Sequence, residues 1–122
     1  MNLLLVFVGG GFGSVARYAM MKAIGRVMGA GFPWHTLGVN LLGALVIGAL
    51  TEFLALRVSG VEGTRLLLVT GFLGGFTTFS AFEWEMFALG RTTAPIALLY
   101  CLASVIGGFI ACWLGVNIAR RV

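Results

Sequence analysis

The placement of charged residues constrains this chain more than any other feature of its sequence. Its eight basic and four acidic residues are confined to a few positions along the sequence, and these positions separate four long apolar blocks. A helix crosses the roughly 30 Å hydrocarbon core of a bilayer in about 20 residues, and each block has about this length. The sequence therefore predicts an all-α membrane protein with four transmembrane helices, near residues 3–21, 34–56, 65–89 and 94–119.

The composition excludes the soluble classes of protein. Only 10% of the 122 residues are charged, against about 25% in ordinary soluble domains. The connections near 22–33, 57–65 and 90–93 are short, so we expect a single transmembrane domain over residues 1–122. The first block has no basic segment ahead of it and no small-residue cleavage site, which favours a mature helix over a cleaved signal peptide.

The basic residues divide evenly between the two predicted sides of the membrane. One side holds Arg57, Arg65, Arg120 and Arg121, and the other holds Arg17, Lys22, Arg26 and Arg91. The positive-inside rule then gives no preferred orientation, or a bias of one residue if Arg17 lies within the membrane. We therefore expect insertion in both orientations and an antiparallel, dual-topology homodimer. A weakly biased protein with one orientation is the alternative.

Small residues spaced four apart support close helix packing. Such spacing lets two backbones approach, and it occurs at Gly9 and Gly13, at Gly71 and Gly75, and at Gly107, Ala111 and Gly115. Four helices alone leave a filled centre without a continuous path, whereas two copies supply eight helices and a shared interface. Some of these faces serve packing within one subunit.

The third span is predicted to be broken at its centre. Gly74 and Gly75 fall at its midpoint and are followed by Thr77 and Thr78, and all four are poor helix formers. Backbone groups freed at this depth must be buried in protein or line a wet cavity. Freed carbonyls would suit a small cation such as Na⁺, and freed N–H groups an anion. A continuous helix with packing glycines is the other interpretation.

Polar residues mark one face of the second span and one of the fourth. Thr36 and Asn40 share a face of the second, and Tyr100 and Ser104 share a face of the fourth. An asparagine amide can donate two hydrogen bonds to an anion, although a bond between helices is its commoner use. His35, at the start of the second span, is expected to be solvated.

Two phenylalanines of the third span, Phe79 and Phe82, are three residues apart and so share a helix face. The positive edge of an aromatic ring can contact an anion without a full charge. Core or lipid packing is the usual role of such a pair. The two cysteines, Cys101 and Cys112, lie in the fourth span and are interpreted as small apolar residues.

Three motifs together resemble the Fluc/CrcB fluoride channel family. They are Gly9-x-x-x-Gly13-Ser14-x-x-Arg17-Tyr18, Thr36-Leu37-x-x-Asn40-Leu41-x-Gly43, and Gly71-Phe72-x-Gly74-Gly75-x-Thr77-Thr78-Phe79-Ser80-x-Phe82-x-x-Glu85. Their order and spacing match over residues 9–110. The resemblance implies antiparallel dimers with two pores and a structural Na⁺ at the interface. It further implies passive export of F⁻ from the cytoplasm, with selectivity over Cl⁻, in a bacterial plasma membrane.

The resemblance also implies roles for particular residues. Phe79 and Phe82 correspond to the family's phenylalanine box, and Asn40, Tyr100 and Ser104 to its pore-lining polar residues. The carbonyls of Gly74 and Thr77 correspond to those that hold the sodium ion. Arg17 corresponds to a basic residue that attracts anions to an aqueous vestibule.

Two residues depart from the family motif. Ala81 replaces a residue with a hydroxyl group, so Ser80 is expected to make that contact alone. Glu83 replaces a serine and adds a negative charge near one pore end, where it is expected to slow anion conduction.

Two alternatives from other classes were weighed. A small multidrug-resistance-type, proton-coupled transporter also has four helices and dual topology, but it needs a membrane-embedded carboxylate on helix 1, and no acidic residue precedes Glu52. A non-conducting interaction subunit is disfavoured by the polar faces and the even distribution of basic residues. No enzymatic site is predicted.

Overall fold

The computed structural model describes all residues from Met1 to Val122 and is entirely helical. Four segments are long and apolar enough to cross a membrane, which confirms the predicted number of spans and indicates a multi-pass membrane protein. The elements in chain order are α1 (Asn2–Met28), α2 (Trp34–Arg57), α3 (Glu62–Thr64), a π-helical segment (Arg65–Leu73), α4 (Gly74–Phe76), α5 (Phe79–Gly90) and α6 (Ala94–Arg121).

The helices extend beyond the predicted bounds, most of all at the end of the first one. α1 continues to Met28 and so includes Lys22 and Arg26, both of which the sequence placed in a connection. Long basic side chains near a helix end can reach the interface, so they do not terminate the helix. α1 ends at Met28, and the capping residue Gly29 has a positive φ of 77°, which favours glycine.

The third span, Glu62–Gly90, consists of α3, the π-helical segment, α4 and α5. Gly74 and Gly75 are helical, and the two extended residues are Thr77 (φ −82°, ψ 158°) and Thr78 (φ −149°, ψ 115°). The interruption therefore lies at the two threonines, which are two of the four poor helix formers that the sequence places at the centre of this span. Thr78 then caps α5, because its Oγ1 accepts a hydrogen bond from the Ala81 amide at 3.3 Å.

The interruption divides the packing of the third span between two neighbours. The π-helical segment and α4 pack against α1, whereas α5 packs against α6, and α6 in turn packs along α2. Glycines permit the closest approaches. A Cβ atom on Gly13 would overlap the Phe72 carbonyl, and one on Gly115 would overlap the Leu45 carbonyl. The glycine spacing predicted in α1 and in the third span thus serves packing within the subunit.

Few side chains are buried within one subunit. Only 17 of the 122 residues are buried, and the one core cluster is formed by Leu37, Phe82 and Tyr100. Most of the large apolar side chains are exposed. The outer surface of the bundle is therefore suited to lipid and to contact with further protein.

Candidate functional site

The side chain of Asn40 replaces helical hydrogen bonds at the interruption of the third span. Its Oδ1 accepts a bond from the Thr78 amide at 2.8 Å, and its Nδ2 donates to the Thr78 carbonyl at 2.9 Å. This pairing satisfies the backbone amide and carbonyl of Thr78, which have no helical partners at the interruption. Such groups would be costly to leave unpaired in a membrane. One Nδ2–H of Asn40 remains outside this pairing.

The carbonyls at positions 74 and 77 are released from the regular helical pattern. In a continuous helix the amide of Thr78 would point at the Gly74 carbonyl, but it bonds Asn40 instead. The Thr77 carbonyl likewise loses the amide of Ala81 to Thr78 and accepts a bond from Arg17 at 3.2 Å. Gly74 lies on the exposed side of the span, where a Cβ would meet no atom within 4 Å.

Arg17 therefore lies against the interruption of the third span. It leaves Lys22, Arg26 and Arg91 as the basic residues on its side, against four on the other. Counted without Arg17, the two predicted sides differ by one basic residue.

Phe79 and Phe82 face the same region, but their environments differ. Their ring centroids are 5.8 Å apart, yet Phe79 is 72% exposed and Phe82 is 5% exposed. Phe79 borders a cleft of about 310 Å³ lined also by Asn40, Thr77 and Thr78. Phe82 points inward, and its ring meets that of Tyr100 in an edge-to-face contact at 5.0 Å.

The carboxylate of Glu85 joins three elements of the bundle. Its Oε1 accepts a bond from Thr36 at 2.7 Å, and its Oε2 accepts one from Tyr100 at 2.8 Å. His35 Nε2 lies 3.3 Å from the same Oε1. Thr36 and Tyr100 are completely buried, so this end of the bundle has a polar centre.

Sequence reasoning did not assign a role to Glu85. His35, which was expected to be solvated, is partly exposed and also contacts Glu85. A usable signal was present, because Glu85 lies three residues after Phe82 and so on the same face of its helix.

The serines differ in their surroundings. Ser104 Oγ is buried and has no hydrogen-bond partner, so its hydroxyl is free to donate to a ligand. Ser80 is exposed beside Phe79, and no hydrogen bond between it and another residue is formed. Ala81 contributes only its backbone amide, to the Thr78 cap.

The contacts connect the membrane centre to one end of the bundle. They run from Thr78 and Asn40, past Phe79 and Phe82, to Tyr100 and Glu85. Glu85 is seven residues beyond Thr78 along the chain, a rise of about 10 Å along a helix. Half of the hydrocarbon core is about 15 Å, so the line of contacts is long enough to cross much of one leaflet.

Comparison with known proteins matches the chain over nearly its whole length. The pattern of the family described as "CrcB-like protein, Camphor Resistance (CrcB)" matches residues 4–116. A protein of Chelativorans sp. (strain BNC1) is 44% identical over 99% of this chain and 98% of its own. One from Solibacter usitatus is 46% identical over 99% of this chain and 100% of its own. One from Chlorobium chlorochromatii is 50% identical over 98% and 92%. All three are named "Fluoride-specific ion channel FluC".

Proposed function

Because this chain belongs to the family of CrcB-like proteins, we propose that it is a fluoride-selective ion channel that passively exports F⁻ from the cytoplasm. The observation that carries the proposal is the nearly full-length match to relatives named fluoride-specific ion channels. The four membrane-spanning helices give the setting that such a channel requires. The membrane is the inner, or plasma, membrane of a bacterial cell.

Fluoride passes along the line of contacts between the interruption and Glu85. Selectivity requires groups that replace the tight hydration of this small anion. The free Nδ2–H of Asn40, the Ser104 hydroxyl and the ring edges of Phe79 and Phe82 are such groups. The unpartnered state of Ser104 Oγ supports this role, because a donor already committed to protein would have to be displaced. Ser80 lies beside Phe79 and can add a hydroxyl there.

Tyr100 contributes in a different way from Ser104. Its single hydroxyl proton is donated to Glu85, so fluoride that binds Tyr100 must compete with a carboxylate. The carboxylate also repels a passing anion. Glu85 and its hydroxyl donors therefore form the far end of the path, where fluoride leaves the Phe82 region.

The channel is an antiparallel homodimer with two pores. Phe79, Ser80 and Gly74 are functional candidates that lie exposed on one subunit, which supports their being covered by a second copy. The small difference between four and three basic residues supports insertion in both orientations. In such a dimer each cleft beside Phe79 is closed by the inverted partner.

A sodium ion at the dimer interface has a structural role. The carbonyls of Gly74 and Thr77 fit this ion, because they are hard oxygen ligands released from helical bonding. The Thr77 carbonyl bonds Arg17 through one lone pair and retains the other. The ion supplies positive charge that holds the two interrupted spans together, and Arg17 adds a further cation that attracts fluoride to the vestibule.

Transport needs no coupled energy source. HF is a weak acid that enters an acidified cell as the neutral molecule and dissociates at the higher internal pH. The accumulated F⁻ then leaves through the channel down its electrochemical gradient. A proton-coupled drug transporter lacks support, since α1 carries no acidic side chain.

The phenylalanine pair provides the test of this function. We expect Phe79→Ile and Phe82→Ile each to abolish F⁻ efflux from liposomes, measured with a fluoride electrode, because isoleucine has no positive ring edge. The matched control is Phe87→Ile, which changes an exposed phenylalanine of the same helix and is expected to keep the flux. Cl⁻ efflux serves as the selectivity control. Unchanged fluoride flux in both pore variants, with the dimer intact, would refute the assignment.

A further inference from the structure

A second cavity lies at the end of the bundle where residues 29–33 connect α1 to α2. It has a volume of about 300 Å³, and its only titratable lining residues are His35 and Glu85. Both side chains are partly exposed, at 33% and 20%. Water therefore reaches the imidazole and carboxylate that close the line of contacts described above.

Aromatic contacts hold the connection that precedes His35. Phe32 stacks at a tilt against Trp34, with centroids 4.6 Å apart, and meets Tyr100 edge to face at 5.3 Å. The connection before α2 is thereby anchored to α6. His35, the second residue of α2, follows directly after this connection and lies 3.3 Å from Glu85.

His35 is the contact of Glu85 whose charge can change near neutral pH. The hydroxyl donors Thr36 and Tyr100 bind the carboxylate as neutral groups, whereas histidine is the side-chain type that gains a charge between about pH 8 and pH 5. The imidazole donates through Nε2 either as the neutral Nε2–H tautomer or as the imidazolium. Protonation thus changes the local charge without requiring a new geometry.

We infer that His35 is a proton-sensing residue of the fluoride pathway, whose protonation offsets the Glu85 charge and raises fluoride conductance at acidic pH. This inference rests on the proposed function and adds its regulation. A carboxylate at the end of an anion pathway repels fluoride, and an adjacent imidazolium reduces that repulsion. Conductance would then be highest when acid drives HF into the cell.

The other charged groups near this end do not take part in the pair. They are Lys22 and Arg26 of α1, Glu83 of α5 and Arg91 beyond α5, and none of them forms an ion pair. On α6 the facing titratable group is Tyr100, which reaches His35 only through Glu85.

The test is the fluoride current of purified channels in a planar bilayer, with the same NaF solution and the same pH on both sides. HF carries no current, so the measurement is insensitive to leakage of the neutral acid. We expect the wild-type current to rise about threefold or more between about pH 8 and about pH 5.5, because local positive charge concentrates anions. A wild-type current that is independent of pH would overturn the inference.

Three variants separate charge from structure. His35→Gln keeps a donor but cannot titrate, and His35→Arg is always charged, so each should show a pH ratio near one, with the larger current in His35→Arg. Glu83→Gln removes a nearby charge outside the pair and should keep the wild-type ratio. If His35→Gln keeps the wild-type ratio of currents between the two pH values, the inference is overturned and the proposed function stands. If the wild type carries no fluoride current at any pH, both the inference and the proposed function are overturned.

Discussion

At the scale of single residues, Asn40 supplies hydrogen bonds that backbone atoms supply in a continuous helix. Its amide pairs with both polar groups of Thr78 at 2.8 and 2.9 Å. One side chain therefore allows two extended residues to exist at membrane depth. The same pairing orients the free Nδ2–H. Asn40 is therefore both a positioning residue and a candidate hydrogen-bond donor to fluoride.

The pairing predicts a stability effect at Asn40. Asn40→Ala leaves the Thr78 amide and carbonyl without partners, and each unpaired buried group costs about 1–3 kcal/mol. We expect a melting temperature in detergent several degrees below that of the wild type, together with loss of F⁻ efflux. Asn117→Ala is the control, because that amide donates only to Trp113 of its own helix. Loss of flux at unchanged stability would limit Asn40 to conduction.

At the scale of elements, the third span behaves as two helices with different neighbours. Its first half, residues 62–76, packs against α1, and its second half, α5, packs against α6. The contact with α1 depends on glycines, since a Cβ on Gly9 would overlap the Leu67 carbonyl and one on Gly75 would overlap the Gly10 carbonyl. Backbone meets backbone there, so no side chain can move aside.

Two neighbouring glycines of α1 give a matched pair for this contact. Gly13→Ala places a methyl group against the Phe72 carbonyl, and we expect it to destabilise the protein by about 1–3 kcal/mol. Gly11→Ala meets no atom within 4 Å and should be neutral or stabilising, because alanine is the better helix former by about 1 kcal/mol. Thermal unfolding of both variants in detergent is the measurement. Equal stability of the two would contradict the packing described for α1.

The sequence predicted the elements better than it predicted their contacts. The four spans could be predicted because charged residues rarely lie in a membrane interior. This signal lies in the sequence itself and needs no knowledge of which helices are in contact. The region of the interruption could be predicted from local propensity, because Gly74, Gly75, Thr77 and Thr78 are all poor helix formers. Its partner could not, because Asn40, which stabilises extended Thr78, comes from another helix.

The polar centre at Glu85 shows the same limit more clearly. Its three partners come from α2 and α6, and nothing along α5 alone indicates them. The candidate pore residues were proposed from motifs, and the structure brings Phe82 and Tyr100 into contact. Phe79, in contrast, lies exposed, which a motif within one chain does not reveal.

At the scale of the whole molecule, the subunit lacks a large interior of its own. Its buried residues are few, and its cleft beside Phe79 opens at the surface. The Glu52–Arg120 ion pair at 2.7 Å ties α2 to α6 at the end remote from His35, but such exposed pairs contribute at most about 1 kcal/mol. The proposed second copy would add buried surface where this cleft opens.

Dual topology is testable through the basic residues. Val58→Lys with Ser59→Lys adds charge to one side, and Val27→Lys with Thr92→Lys adds it to the other, so each double variant should insert in one orientation. We expect little fluoride efflux from cells that express either variant alone, and recovery when both are co-expressed. The corresponding glutamate variants are controls, since acidic residues have little effect on orientation. Full activity of both single-orientation proteins would exclude the antiparallel dimer.

The close glycine contacts also have a genetic consequence. Any single-base change in a glycine codon that alters the amino acid introduces a residue with a Cβ atom, or stops translation. At Gly9, Gly13, Gly48 and Gly115 that atom would overlap a neighbouring backbone carbonyl. These positions therefore have no conservative replacement within one mutational step, whereas the exposed leucines and valines have several. A saturation scan of the gene would find its sharpest intolerance at residues that carry no side chain.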